Sequence, residues 1–412
     1  MVRLFAITVP ALINMSATQE TQDDRGIVRR ILYNREIRSV VTQIAVIMLV
    51  FALFYEIGTN LLANLEAIGK ELSFDFVWLP ASYDITFQPF VDYDPSKSHF
   101  WAAMVGLTNT LLVAVSGIIL ATILGFTLGV MRLSNNFLVS RISQIFIEFN
   151  RNVPVLLHIL FLYGVIIHIL PKPKKSISIM DTAFLSNRGM YVPKPVLSDG
   201  SGIVLLSVLV AISAIFGLSR WAKIRQRDTG QTFPVFWSAI AILVLVPTLT
   251  FYAMGSPISL DYPVLKGFNF KGGVALKPEY LALWLALSYY TACFIAEIVR
   301  GGILAIHKGQ REAAYALGLT PNRTLQLAII PQALPLIIPP LTSNYLNLTK
   351  NSSLAVAIGY FDIVATIGTI SLMQTGKEVE TMVIVLSTYL VLSLIISGSM
   401  NLLNYRLKIK GR

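Results

Sequence analysis

Eight apolar stretches divide the chain, over about 39–57, 102–131, 142–170, 201–219, 235–254, 279–303, 327–348 and 382–404. Each comes close to or exceeds the length, about 20 residues, that carries a helix through a hydrocarbon core of about 30 Å. Only 13% of the 412 residues are charged, against about 25% in soluble proteins. The fold class is therefore an all-α polytopic membrane protein with about eight transmembrane helices. The formal net charge of +11 does not indicate nucleic acid, because the cations sit between the apolar runs, where they orient a membrane protein.

With the amino terminus inside, the inner segments are 1–38, 132–141, 220–234, about 300–326 and 405–412, and they hold 20 of the 33 Lys and Arg residues. The outer loops are longer and poorer in cations, so both termini are expected in the cytoplasm. Residues 4–15 form a short apolar stretch after Arg3 with no small-x-small cleavage site behind it, and they read as a retained cytoplasmic leader. Outside, 58–101 carries Trp78, Tyr83, Phe87, Phe90, Tyr93 and Trp101, as aromatic belts at the headgroup level do. Residues 171–200 begin Pro-Lys-Pro-Lys-Lys and read as loop. The polar, glycine-broken 349–381 reads as short or re-entrant helices shielded by protein or facing water. Cys293 lies in an apolar run, so there is no disulfide framework.

One inner segment stands out. Gly309-Gln310-Arg311-Glu312-Ala313-Ala314-Tyr315-Ala316-Leu317-Gly318-Leu319 is a run of good helix formers that ends in glycine, the residue suited to a left-handed helix stop. Thr320-Pro321 then resembles an N-cap with proline at the first helical position of the next span. Ala313, Ala314 and Leu317 offer a smooth face, and Arg311 and Glu312 a charged end. Two readings follow from physics alone: a helix resting at the lipid interface, or a docking element for a soluble partner.

Glu312-Ala313-Ala314, Gly318 and Ile329-Ile330-Pro331 resemble the EAA loop of ABC-importer permeases. Ala296–Ile303 upstream and Asn347-Leu348-x-Lys350-x-Ser352-Ser353-Leu354 downstream are similar to its polar amino-acid branch (histidine, glutamine and general L-amino-acid importers). Ile329-Ile330 before the proline departs from the leucine often found there. The resemblance covers 102–170 and 279–404, which it implies to be a five-helix permease core. The extra segments resemble the larger subunit of a two-permease, general L-amino-acid importer of the bacterial inner (plasma) membrane. The implied organisation is 1–101 as leader, first span and external loop, 102–170 as the opening segment of the permease core, 171–278 as an inserted loop and helix pair, and 279–412 as the closing segment of the core. The resemblance further implies that 308–319 is a cytoplasmic coupling helix, with Gly309, Arg311, Glu312, Ala313, Ala314, Leu317 and Gly318 as coupling residues. Implied partners are a second related permease, two ABC ATPase subunits, an external amino-acid-binding protein and an L-amino-acid cargo.

The chain carries no nucleotide site of its own. A P-loop needs Gly-x4-Gly-Lys-Ser/Thr to cradle phosphate, and Gly69-Lys70 and Gly376-Lys377 lack both flanks. ATP and Mg therefore belong to a separate ATPase. His99, His158, His168 and His307 lack metal-ligand spacing, and no catalytic residue is assigned.

Ionisable groups at membrane depth are costly and mark candidate paths. Arg151 is expected about 15 Å into its span, beside the Asn150 carbonyl freed by Pro154 and within reach of Glu148. Glu297 shares a helix face with Tyr290 and Cys293, and Arg300 follows three residues later. Asn344, Asn347 and Asn351 line one face of a span holding Pro331, Pro335, Pro339 and Pro340, with Lys350 and Ser352 beyond. Path-lining and structural roles both remain open for these residues: ion pairing between helices, polar glue or, for Lys350, snorkelling. A zwitterionic amino acid needs a cation, Arg151 or Lys350, for its carboxylate. It also needs acceptors, Asn344, Glu297 or freed carbonyls, for its ammonium. An ion-gradient-driven carrier of small polar solutes is the alternative, since broken helices and intramembrane charge suit it too. A structural membrane subunit of another complex is a third.

Overall fold

A computed structural model describes residues 35–407; the expected leader over 4–15 and both termini lie outside the described residues. The chain divides into two units after Ser73. The described part of the first contains helix α1, Arg35–Ala67, whose apolar residues, Phe51 and Phe54 among them, are exposed.

The second unit is built on α2 (His99–Arg132) and α7 (Pro278–Leu304), its most extensively packed pair. Lipid tails are as apolar as leucine, so close helix contact in a bilayer depends on small residues. A Cβ at Gly125 would lie 2.6 Å from Ile295, and one at Gly129 2.9 Å from the Val299 side chain. The Gly125-x3-Gly129 face of α2 is thus a seat for α7. Against α7 also pack α3 (Phe137–Asn152), α4 (Val155–His168) and α10 (Ile330–Asn351), and α12 (Glu378–Leu407) packs on α10.

Among the described residues, seven helices are long and apolar enough to cross a membrane, or eight if one bent pair counts as a span. The bent pair corrects the expected straight span over 142–170. Helices α3 and α4 meet at 104° across Val153-Pro154. Proline cannot donate to the carbonyl four residues back, and its ring clashes there, so the helix stops. A new one begins with Pro154 as its N-cap.

The stretch 171–200, expected as loop, also differs. It forms β1 (Ile177–Ile179), β2 (Ala183–Ser186), β3 (Gly189–Val192) and β4 (Lys194–Leu197). Helices α5 (Ser201–Thr229) and α6 (Val235–Ala253) then form a packed hairpin. Beyond it come β5 (Ile258–Asp261), β6 (Val264–Lys266), β7 (Asn269–Lys271) and β8 (Val274–Leu276). Strand β8 pairs with β3, Val192 opposite Val274, closing a four-stranded antiparallel sheet in the order β1-β2-β3-β8. The helix hairpin is an insertion whose two ends return to one sheet, so it leaves the core connection short. Phe270 stacks on Phe184 at 4.7 Å, meets the Tyr191 ring at a tilt at 4.9 Å, and holds the β6–β7 hairpin to this sheet.

Residues 349–381 form short helical pieces, as expected. A 3-10 turn, Ser352–Ile358, and a π-helical segment, Val364–Ser371, precede α11 (Leu372–Thr375). Buried polar bonds shield this irregular backbone. Asn109 donates to the Phe87 and Phe361 carbonyls, both at 2.9 Å, and Thr110 accepts from the Ile363 amide. In the loop before α2, burial raises the phenol pKa of Tyr83, which donates to the Thr366 carbonyl, and pushes that of Tyr93 up to about 12.

Candidate functional site

Helix α8, Lys308–Ala316, follows the end of α7. His307 caps it, its Nδ1 accepting from the Gly309 amide at 3.1 Å. Gly318 ends it with φ of 76°, the left-handed conformation expected of it. Pro321 opens α9 (Pro321–Thr324), and a π-helical turn, Leu325–Ile329, carries the chain into α10. Gln332 donates to the Gln310 side chain at 3.1 Å, tying α8 to the base of α10. Ala314 turns inward and is buried, so it does not share the outward face expected for it. Arg311, Glu312, Ala313, Leu317 and Gly318 are exposed, and Gly309 is half-buried. Leu317 is 82% exposed, an apolar knob at the end of the helix. A helix so capped at both ends, tied to a span and bare outward can transmit a push along α10.

Two of the charged candidates, Arg151 and Glu297, meet at the end of the membrane helices that carries α8. Glu297 on α7 touches Arg132, the last residue of α2. It also faces Arg300 at 3.8 Å and Arg151 at 4.0 Å. Glu148 reaches Arg132 at 3.5 Å, not the expected Arg151. The reason lies in the bend: α3 crosses beside α2 and α7, so its acid and base find partners there rather than along their own helix. Arg151 accordingly lies near the end of a 16-residue amphipathic helix, with its guanidinium over the Phe294 ring at 5.1 Å. The Asn150 carbonyl that Pro154 leaves free is met by His158 Nε2 at 3.2 Å, while His158 Nδ1 pairs with the Tyr289 hydroxyl at 2.9 Å.

The asparagine stripe lies on α10. Lys350 and Asn347 are exposed and Asn344 is half-buried, its amide donating to the Pro340 carbonyl at 3.1 Å. Ser352 is fully buried and donates to the Thr349 carbonyl at 2.7 Å. The Tyr389 hydroxyl lies 3.2 Å from Ser352 and 3.2 Å from the buried Asp362, which also accepts from the Ala365 amide. Among the described residues, no hydrogen bond or ion pair joins this group to the Arg151–Glu297 knot. Arg132, Asp362 and Tyr389 were not singled out from the sequence, and His158 was weighed there only as a metal ligand. The one available signal was Asp362, a carboxylate near the middle of the glycine-broken 349–381.

The bundle and its exposed capped helix define a multi-pass membrane permease. Residues 203–409 match the family described as binding-protein-dependent transport system inner membrane component. The chain belongs to this family of ABC-importer permeases. It is 43% identical over 384 residues to the general L-amino acid transport system permease protein AapQ of Rhizobium johnstonii, covering 93% of this chain and 96% of that one. It is 42% identical to the glutamate/glutamine/aspartate/asparagine transport system permease protein BztB of Rhodobacter capsulatus, with 93% and 96% covered. The permease BztC of the same system and organism is 32% identical over 170 residues, with 40% of this chain and 37% of BztC covered.

Proposed function

We propose that this chain is the larger of two permease subunits in an ATP-driven importer of L-amino acids in a bacterial inner membrane, with both termini cytoplasmic. The observation that carries the reading is the capped, outward-facing α8, whose Ala313, Glu312 and Leu317 suit a cleft on a separate protein. Two ABC ATPase subunits hold ATP and Mg, and this chain supplies no catalytic residue. ATP binding closes the ATPases, moves residues 308–319 and, through the Gln310–Gln332 tie, shifts α10. A second, related permease completes the path, a reading supported by the two Bzt permeases that share one system name. An external binding protein delivers the cargo.

For the path itself, Asn344, Asn347 and Lys350 offer open polar groups on α10, and Ser352 supports them from behind through Tyr389 and Asp362. Glu297 has both oxygens facing arginines. With Arg151 it therefore acts at the path's inner end, where the knot has to loosen before either residue meets cargo. Polar and neutral amino acids fit such a lining better than strictly acidic or basic ones. Family membership does not favour the gradient-driven alternative.

The test is purification of the whole complex. An ATPase retained by the wild type and lost on combining Glu312→Arg with Gly318→Pro supports the reading. Stimulation of ATP hydrolysis by a panel of L-amino acids, with the binding protein present, identifies the cargo. Gradient-driven uptake by this chain alone in liposomes would overturn it.

A further inference from the structure

Between α8 and the adjoining ends of α2 and α7 lies an open cavity of about 530 Å³. That is within the range of about 300–1,000 Å³ typical of small-molecule sites. Its lining has two characters. Met131, Leu304 and Leu325 supply an apolar side from the helix ends. Arg311, Tyr315 and Asn322 supply a polar side, and Arg311 is the one charged residue among the described residues that line it.

Thr324 also lines the cavity, is 1% exposed, and its hydroxyl has no hydrogen-bond partner among the described residues. Elsewhere Thr122, Thr127, Thr349 and Thr388 return their hydroxyls to the carbonyl four residues back. A buried hydroxyl left unpartnered costs about 1–3 kcal/mol, and a shift of the cavity wall that brings it to a ligand atom would recover that cost. We infer that this cavity binds the phosphate headgroup of an anionic phospholipid, with the first stretch of an acyl chain against its apolar side. A guanidinium, a phenol and an amide suit phosphate oxygens. Basic pockets between the ends of membrane helices take such headgroups, and a soluble anion has no use for the leucines and methionine. Occupancy would brace α8 against the bundle. Binding does not depend on the coupling role of α8; any effect on ATP hydrolysis does.

The experiment uses the purified complex, stripped of lipid in detergent and then offered phosphatidylglycerol, phosphatidylcholine or inorganic phosphate. Native mass spectrometry counts the bound molecules, and melting temperature reports stabilisation. The inference expects phosphatidylglycerol to be retained in preference to phosphatidylcholine, and Leu325→Trp, which fills the cavity, to abolish that preference. Asn322→Asp, which fills nothing, should weaken phosphatidylglycerol binding by about tenfold through like-charge repulsion, about 1.4 kcal/mol. Equal retention of the two lipids, or undiminished preference in both variants, would overturn it. Equal stabilisation by inorganic phosphate would replace the lipid with a soluble anion. Bound lipid without any change in ATP hydrolysis would leave the site standing and count against the coupling role.

Discussion

Neutralising Glu297 tests whether the charged knot is a fastening between α2, α3 and α7. Side chains of Arg132 and Glu297 are 14% and 21% exposed, so little solvent screens their contact. Removing one partner of a buried pair costs about 3–5 kcal/mol, because the other charge is stranded. Glu148 stays 3.5 Å from Arg132 and softens the loss, which puts Glu297→Gln near the low end, about 3 kcal/mol. Arg151 and Arg300 are 39% and 38% exposed, and exposed pairs contribute only about 0–1 kcal/mol each. Arg132→Gln should likewise cost about 3 kcal/mol. The double variant should fall short of the sum by about 2 kcal/mol, within the range for residues in contact. Reversible unfolding in mixed detergent, followed by helical circular dichroism, measures all four forms. Additivity within about 0.5 kcal/mol would refute the fastening.

Three further outcomes follow. Gly125→Val places branched carbon where even a Cβ lies 2.6 Å from Ile295, so the α2–α7 seat should open at a cost of at least about 1–3 kcal/mol, read as lost yield of monodisperse protein. His158→Phe leaves the Asn150 carbonyl and the Tyr289 hydroxyl without their partner; thermal denaturation should show a loss of about 1–3 kcal/mol, partly recovered by His158→Gln. Gly318→Val forces a β-branched residue into φ of 76°, at about 1–2 kcal/mol, and should reduce the ATPase retained on an affinity column while leaving membrane insertion intact.

The membrane spans and α8 were legible because their signals are local: apolar length, helix formers, a glycine stop and a proline start. The bend at Pro154 was half legible. The proline was visible, but the continuous apolar run over 142–170 concealed two helices at 104°. The partners of Glu297 and Glu148 were not legible. Glu148 and Arg151 have ideal spacing on one helix, yet the bend sends each to a residue distant in sequence. The strands from β1 to β8 escaped because each has three or four residues, too few for alternation to stand out among prolines and lysines. The roles of Ser352 and Asp362 depend on Tyr389, which no local pattern connects to them.

The central claim is that α8 meets a separate ATPase. Cys293 is fully buried, so a single exposed thiol introduced by Ala313→Cys can be cross-linked selectively in membranes holding the assembled importer. The account predicts a covalent product between this chain and the ATPase whose yield changes when ATP is added. Cross-linking to lipid or to nothing, in a complex that still transports amino acids on ATP, would contradict it.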